Sequence, residues 1–294
     1  MNFDYFIGID WSGNKNHHQK NIAVAICSND DESPTIQINP YYEKGAWSRT
    51  DVARWIESNW LSQCFALIGF DFAFAFPYCD CQSYFPYSDE SPRNHYALWK
   101  EVDERCVDNT NFYGRSFFLK DSPYAKYFHL QGLLKGEKFD ESNNRRRITE
   151  DNCHKYRSNP ESIFNCAYPK QVGLSSLAGM RFLCHFYKKE PDLVAIWPFH
   201  FNHQNISTFV EIYPSLYYKR ANYNRSNRLE LVNKVLHFYS SNPLDEKCKL
   251  PTKDEADAII SAAALRYFSK HDKYWNPPEM DDTARRYEGW IFGV

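Results

Sequence analysis

Thr252-Lys253-Asp254-Glu255-Ala256-Asp257-Ala258-Ile259-Ile260 is the stretch whose reading decides the fold. Thr252 followed by Glu255 has the form of a capping box, so a helix starts here. A helix places Asp254 and Asp257, three residues apart, on one face. Ala256, Ile259, Ile260, Ala263, Ala264, Tyr267 and Phe268 continue it as an apolar stripe to about residue 268. Asp254 is accounted for by the helix dipole alone. Asp257 lies one turn in, beside the apolar stripe, where capping explains it less well, and it is the stronger candidate for chemistry.

Upstream, three strand-like apolar segments each carry one acid. They are Asp10 in Phe6-Ile7-Gly8-Ile9-Asp10, Asp71 in Ala66-Leu67-Ile68-Gly69-Phe70-Asp71, and Glu211 in Phe209-Val210-Glu211-Ile212-Tyr213. A carboxylate among apolar residues is costly unless it is paired or binds a metal. Taken together, Asp10, Asp71, Glu211, Asp254 and Asp257 suggest a carboxylate cage for Mg²⁺ or Mn²⁺. Such a cage activates water and stabilises a leaving oxygen in phosphodiester cleavage. Each acid also has a plainer reading: Asp10 capping a turn, Asp71 paired with a distant Arg or Lys, Glu211 on a solvent-facing side of its strand.

The order of segments gives the architecture. Residues 3–10 and Asn21 to Cys27 read as a hairpin, with a third strand at Thr35 to Asn39. Ser48 and Asp51 start a helix on which Val52, Trp55, Ile56 and Trp60 share a face. Cys64 to Asp71 is a strand apolar on both faces, as a covered sheet requires. Regular structure returns with a helix at Gly173 to Lys188, strands at Leu193 to Trp197 and Thr208 to Tyr213, and helices at Leu229 to Tyr239 and from Lys253. This pattern predicts an α/β fold with a mixed sheet flanked by helices. The stretch 72–170 breaks the pattern. It is rich in aromatics, Pro and Asn, has one clear helix near His95 to Val107, and reads as a large inserted cap or subdomain. It also carries the basic run Arg145-Arg146-Arg147, a candidate contact for nucleic acid.

With 294 residues and a formal net charge of −2, the chain has a sizeable core and no global basic field. Its longest apolar run, Phe65 to Phe76, is too short to span a bilayer and contains Asp71, so no membrane partner is expected. The acidic start runs straight into a strand and does not read as a signal peptide. Nine scattered cysteines then point to reduced thiols and a cytoplasmic setting. His17-His18 and the histidines at 200 and 203 read as polar loop residues.

Seven pieces, in order along nearly the whole chain, resemble a family of predicted ribonuclease-H-like nucleases, the domain of unknown function four-two-nine. They are Gly8-Ile9-Asp10-Trp11-Ser12-Gly13, Ile68-Gly69-Phe70-Asp71, Gln171-Val172-Gly173-Leu174-Ser175, Ile196-Trp197-Pro198-Phe199, Glu211-Ile212-Tyr213-Pro214, Asp254 to Ala258, and Glu288-Gly289-Trp290-Ile291. The resemblance implies one ribonuclease-H-like domain over 1–294 and a two-metal site at Asp10, Asp71, Glu211 and Asp257. It also implies a nuclease acting on DNA or RNA, but carries nothing over to the 72–170 segment; Ser12 and Gln171 by position, and the arginines 145–147 by charge, are the candidate substrate contacts. Two other readings stay open at this point: a non-catalytic nucleic-acid- or protein-binding module on the same fold, and an actin-like or sugar-kinase-like ATP enzyme. The second lacks a Gly-x-x-x-x-Gly-Lys-Ser/Thr loop.

Overall fold

A computed structural model describes residues 3–61, 64–107, 109–119, 121–130, 135–167, 172–200, 206–245 and 251–294. In chain order the strands are β1 (Tyr5–Asp10), β2 (Ala23–Ser28), β3 (Thr35–Ile36), β4 (Ala66–Phe70), β5 (His129–Leu130), β6 (Asn165–Cys166), β7 (Val194–Ile196) and β8 (Ser207–Glu211). The α-helices are α1 (Arg49–Asn59), α2 (His95–Arg105), α3 (Phe139–Asn143), α4 (Ile148–Asn152), α5 (Val172–Lys189), α6 (Pro214–Arg220), α7 (Leu229–Phe238), α8 (Lys253–Ser269) and α9 (Asp272–Trp275).

Six strands form one mixed sheet in the order β3-β2-β1-β4-β8-β7, and β5 and β6 make a separate pair. β1, β2 and β3 are antiparallel neighbours, as the expected hairpin requires. β4 lies parallel to β1, β8 parallel to β4, and β7 parallel to β8. The fold is therefore the expected α/β class, a mixed sheet with helices on both sides.

Alternation along the strands separates two cores. Ile7, Ile9, Ile68, Phe70 and Phe209 belong to the core shared with α1 and α5, where Phe182 and Phe186 pack on Phe70 and Phe209. Phe6, Leu67, Val210 and Ile212 belong to the core shared with α6, α7 and α8. β4, and β1 up to Asp10, are apolar because both faces are covered. The aromatic stretch after β4 joins the first core: Phe74, Phe76, Phe85, Tyr124, Phe128 and Phe164 are continuous with the sheet residues.

Helix α8 crosses β1 at very short range. A Cβ on Gly8 would lie 2.3 Å from the Ala258 carbonyl oxygen, so this glycine lets the helix backbone sit on the strand. The capping box is present: Thr252 Oγ1 accepts from the Glu255 N–H at 3.1 Å, and Glu255 Oε2 accepts from the Thr252 N–H at 2.7 Å. One detail differs from the sequence reading. An apolar stripe implies an exposed opposite face, yet Ala258, Ser261, Ala262 and Leu265 are buried as well. The sheet lies under α8 while α6, α7 and α9 pack around it, so small residues are needed on nearly every side. Burying Ile259 and Ile260 alone contributes about 1.5–3 kcal/mol each. Among the described residues no helix is long and apolar enough to cross a membrane.

Candidate functional site

Asp10 and Asp71 end neighbouring parallel strands. Ile9 is in register with Phe70, and the Asp71 N–H donates to the Ile9 carbonyl at 3.1 Å. Each acid follows its strand's alternation onto the α8 side. The close Gly8–Ala258 crossing then brings the first turns of α8, with Asp254 and Asp257, over the same strand ends. Acids from two strands and one helix thus meet beside a cavity of about 580 Å³. Asp10, Ser12, Asp71, Ser175, Arg225 and Asp254 are among the residues lining it.

The group is poorly balanced in charge. Asp10 lies at hydrogen-bond distance from both Asp71 and Asp254. Burial, then the charges of Asp71 and Asp254, push the Asp10 carboxyl well above the usual carboxylate range. Burial pushes Asp71 up to about 7, although Arg225 pulls it back. Asp254 is raised by burial too, with Arg225 again opposing. These directions describe carboxyls whose burial and mutual repulsion oppose ionisation even with Arg225 among them. Asp257 is fully buried, and neither of its oxygens has a hydrogen-bond partner among the described residues. Its ionic contact is with Arg225 Nη2, which also stands 3.9 Å from Asp10 Oδ1 and 3.9 Å from Asp254 Oδ1.

Glu211 reaches the same cavity from the other side of the sheet. It shares the facing of Phe209, not that of Val210 and Ile212, and it meets Arg147. Arg147 Nη1 donates to Glu211 Oε2 at 2.7 Å and Nη2 to Oε1 at 2.5 Å, while the Phe74 N–H donates to Oε2 at 3.0 Å. Burial raises the Glu211 pKa and the Arg147 guanidinium opposes that rise. Arg147 Nε also donates to Glu150 at 2.9 Å, and its Nη1 to the Glu288 carbonyl at 3.1 Å. Glu288 braces this region, accepting from the N–H groups of Tyr78, Cys79 and Ile148.

The arginine run needs correction. Arg147 is 1% exposed and its guanidinium is committed to Glu211 and Glu150, so it lies in the wall of the cavity and not on an open basic surface. Arg145 is also buried, with its donors on Asp80 and on the carbonyls of Pro77, Ser83 and Tyr84. Arg146 is half-buried and donates to the carbonyls of Asn143 and Arg145. A basic run looks alike in sequence whether it faces solvent or carboxylates; here the partners are supplied by residues 65 and 64 positions away. Ser12 does line the cavity, and its Oγ accepts from Asn21 Nδ2 at 2.7 Å and from the Asn14 N–H at 3.2 Å. Gln171 lies outside the described residues.

Arg225 and Lys253 are cavity residues that the sequence reading missed. Lys253 was legible as the neighbour of Asp254. Arg225 sits in the polar loop Asn222-Tyr223-Asn224-Arg225-Ser226, which carries no local signal. Among the described residues no three His, Cys, Asp or Glu side chains stand in a ready-made metal-binding arrangement. The donor set itself fits a hard divalent cation: it is all carboxylate oxygen, its charges are raised in pKa, and Asp257 is buried without a hydrogen bond. Comparison with known family models, curated proteins and solved structures finds no match.

Proposed function

We propose that this chain is a Mg²⁺- or Mn²⁺-dependent phosphodiester hydrolase of ribonuclease-H-like architecture, acting on nucleic acid. The observation that carries the reading is the convergence of Asp10, Asp71 and Asp254 on one cavity, with the buried Asp257 joined to Asp10 and Asp254 through a shared ionic partner, Arg225. Asp10, Asp71, Asp254 and Asp257 would hold the metal. When bound, it supplies a water of lowered pKa and neutralises charge on the leaving oxygen.

The chain's own residues prepare the rest. Asp10 and Asp71 are held side by side by the β1–β4 register, so their spacing depends on backbone hydrogen bonds and not on flexible loops. Burial of Asp10, which is 6% exposed, limits how far bulk water screens it. Lys253 and Arg225 place positive charge beside the acids, where a phosphate would otherwise be repelled. Glu211 is fixed by Arg147, and its role in this reading is to position the strand end, not to ligate.

A second reading has one observation in its favour. Arg225 already pairs with the acids, so a cavity balanced by arginine could bind a ligand without cleaving it. Mn²⁺ titration by calorimetry, followed by cleavage assays on labelled single- and double-stranded DNA and RNA, separates the two. The hydrolase reading expects Mn²⁺ binding that Asp10→Asn abolishes, with cleavage lost in the same variant. Cleavage that persists in both Asp10→Asn and Asp257→Asn would sink it. Metal-independent binding without cleavage would leave the binding module.

A further inference from the structure

Arg225 stands where a divalent cation shared by these acids would stand. Its Nη2 is 3.9 Å from Asp10 Oδ1, 3.9 Å from Asp254 Oδ1, and in contact with Asp257 Oδ2. A position shared by a strand-end acid and two helix acids is a place of strongly negative potential, and two cations cannot occupy it together.

Two further features describe how the guanidinium is held. First, its seat lacks the bonding of a structural pair. Arg225 meets Asp257 Oδ2 through Nη2, the same nitrogen that stands 3.9 Å from Asp10 and from Asp254, whereas the Arg147–Glu211 pair carries two aligned bonds at 2.7 and 2.5 Å. Second, the Arg225 side chain is 43% exposed while that of Asp257 is 0% exposed. The arginine therefore reaches inward from solvent, and its way back is open. The loop that carries it is tied just beyond it: Tyr218 Oη donates to the Ser226 carbonyl at 2.9 Å, and Asn227 Nδ2 to the Pro251 carbonyl at 3.0 Å. Withdrawal thus needs side-chain rotation and not a loop rearrangement.

We infer that Arg225 is an exchangeable counter-cation, which competes with the divalent metal for the Asp10–Asp254–Asp257 group and swings to the cavity rim beside Lys253 when the metal loads. This deepens the metal-dependent reading above and rests on it. The guanidinium would keep the acids from repelling one another in the metal-free chain, and would become available to an anionic substrate once metal is in place.

The test is calorimetric titration with MnCl₂ alone, on the full chain at neutral pH. The proteins compared are wild type, Arg225→Ala, Arg225→Gln, Arg225→Lys and Arg228→Ala. A seat filled by the guanidinium about nine-tenths of the time weakens apparent metal affinity about tenfold, so Arg225→Ala tightens Mn²⁺ binding by about that factor. Arg225→Gln does the same and serves if the alanine variant does not fold. Arg225→Lys stays close to wild type, because it keeps the charge. Arg228→Ala removes an equal charge from the same loop and leaves the affinity unchanged. Equal affinities in wild type and in the Arg225→Ala and Arg225→Gln variants would overturn the competition while leaving the metal site standing. Equal tightening in Arg228→Ala would overturn it as well, by tracing the effect to overall charge. Absence of Mn²⁺ binding in every protein would overturn the inference together with the metal reading.

Discussion

Arg147 and Arg225 both meet acids at the same end of one sheet, yet they are built into it in opposite ways. Arg147 is 1% exposed, held on both oxygens of Glu211, on Glu150 and on a backbone carbonyl. Arg225 comes from a loop, is 43% exposed, and meets Asp257, with Asp10 and Asp254 each 3.9 Å from the same nitrogen. Removing one partner from a fully bonded buried pair leaves an uncompensated charge, while an exposed arginine can retreat into water. The contrast separates an acid fixed by a fully bonded buried pair from acids met by an exposed loop arginine, which the proposed function assigns to metal binding.

The strongest way to break that contrast is Arg147→Met. It strands Glu211 and Glu150 in the core and should destabilise the chain by about 3–5 kcal/mol, measured by urea unfolding. An effect no larger than that of Arg225→Ala would erase the distinction.

A pH series sharpens it next. Asp71 is held at about 7, above its ordinary 3.8, and Asp10 is raised too. Between those two values the folded chain keeps a proton that the unfolded chain has lost. Metal-free stability should therefore be greatest on the acid side and fall as pH rises from about 4 towards 7. Added Mn²⁺ should flatten this slope. A metal-free stability that instead climbs over the same window would show that the acids are satisfied within the protein.

Asp10→Asn removes one of the clustered charges. In the absence of metal it should raise stability by about 1 kcal/mol, the usual scale of a single substitution, because the carboxyl it replaces is held among like charges, while Glu211→Gln should lower it. Thermal unfolding of the two variants side by side checks the sign. If both lose stability, Asp10 belongs with Glu211 as a structural acid. The smallest expected change is Thr252→Ala, which removes the helix cap for about 1 kcal/mol or less, since Glu255 keeps its bond to the residue 252 N–H. Its useful readout is Mn²⁺ affinity, which falls if the cap sets the position of Asp254.

Much of the site was legible because its signals are local. The cap at Thr252, the helix that follows, and the acids ending β1 and β4 can each be read within a few residues. Glu211 was visible as a strand acid, but not which face it takes or which cation awaits it there. Arg145 and Arg147 look like an exposed basic run because only Glu150 lies near them in sequence: their other acids, Asp80 and Glu211, lie 65 and 64 residues away.

By itself, then, the sequence determined the helix start that carries Asp254 and Asp257, the apolar strands, and the α/β class, because capping chemistry and hydrophobic periodicity act over a few residues. The tertiary structure alone decided that α8 would lie on β1 through Gly8, that Arg147 would neutralise Glu211, and that Arg225 would reach the remaining acids. Those outcomes depend on close packing between segments remote in the chain, where the cost of burying a charge is met by whichever partner the fold brings within reach.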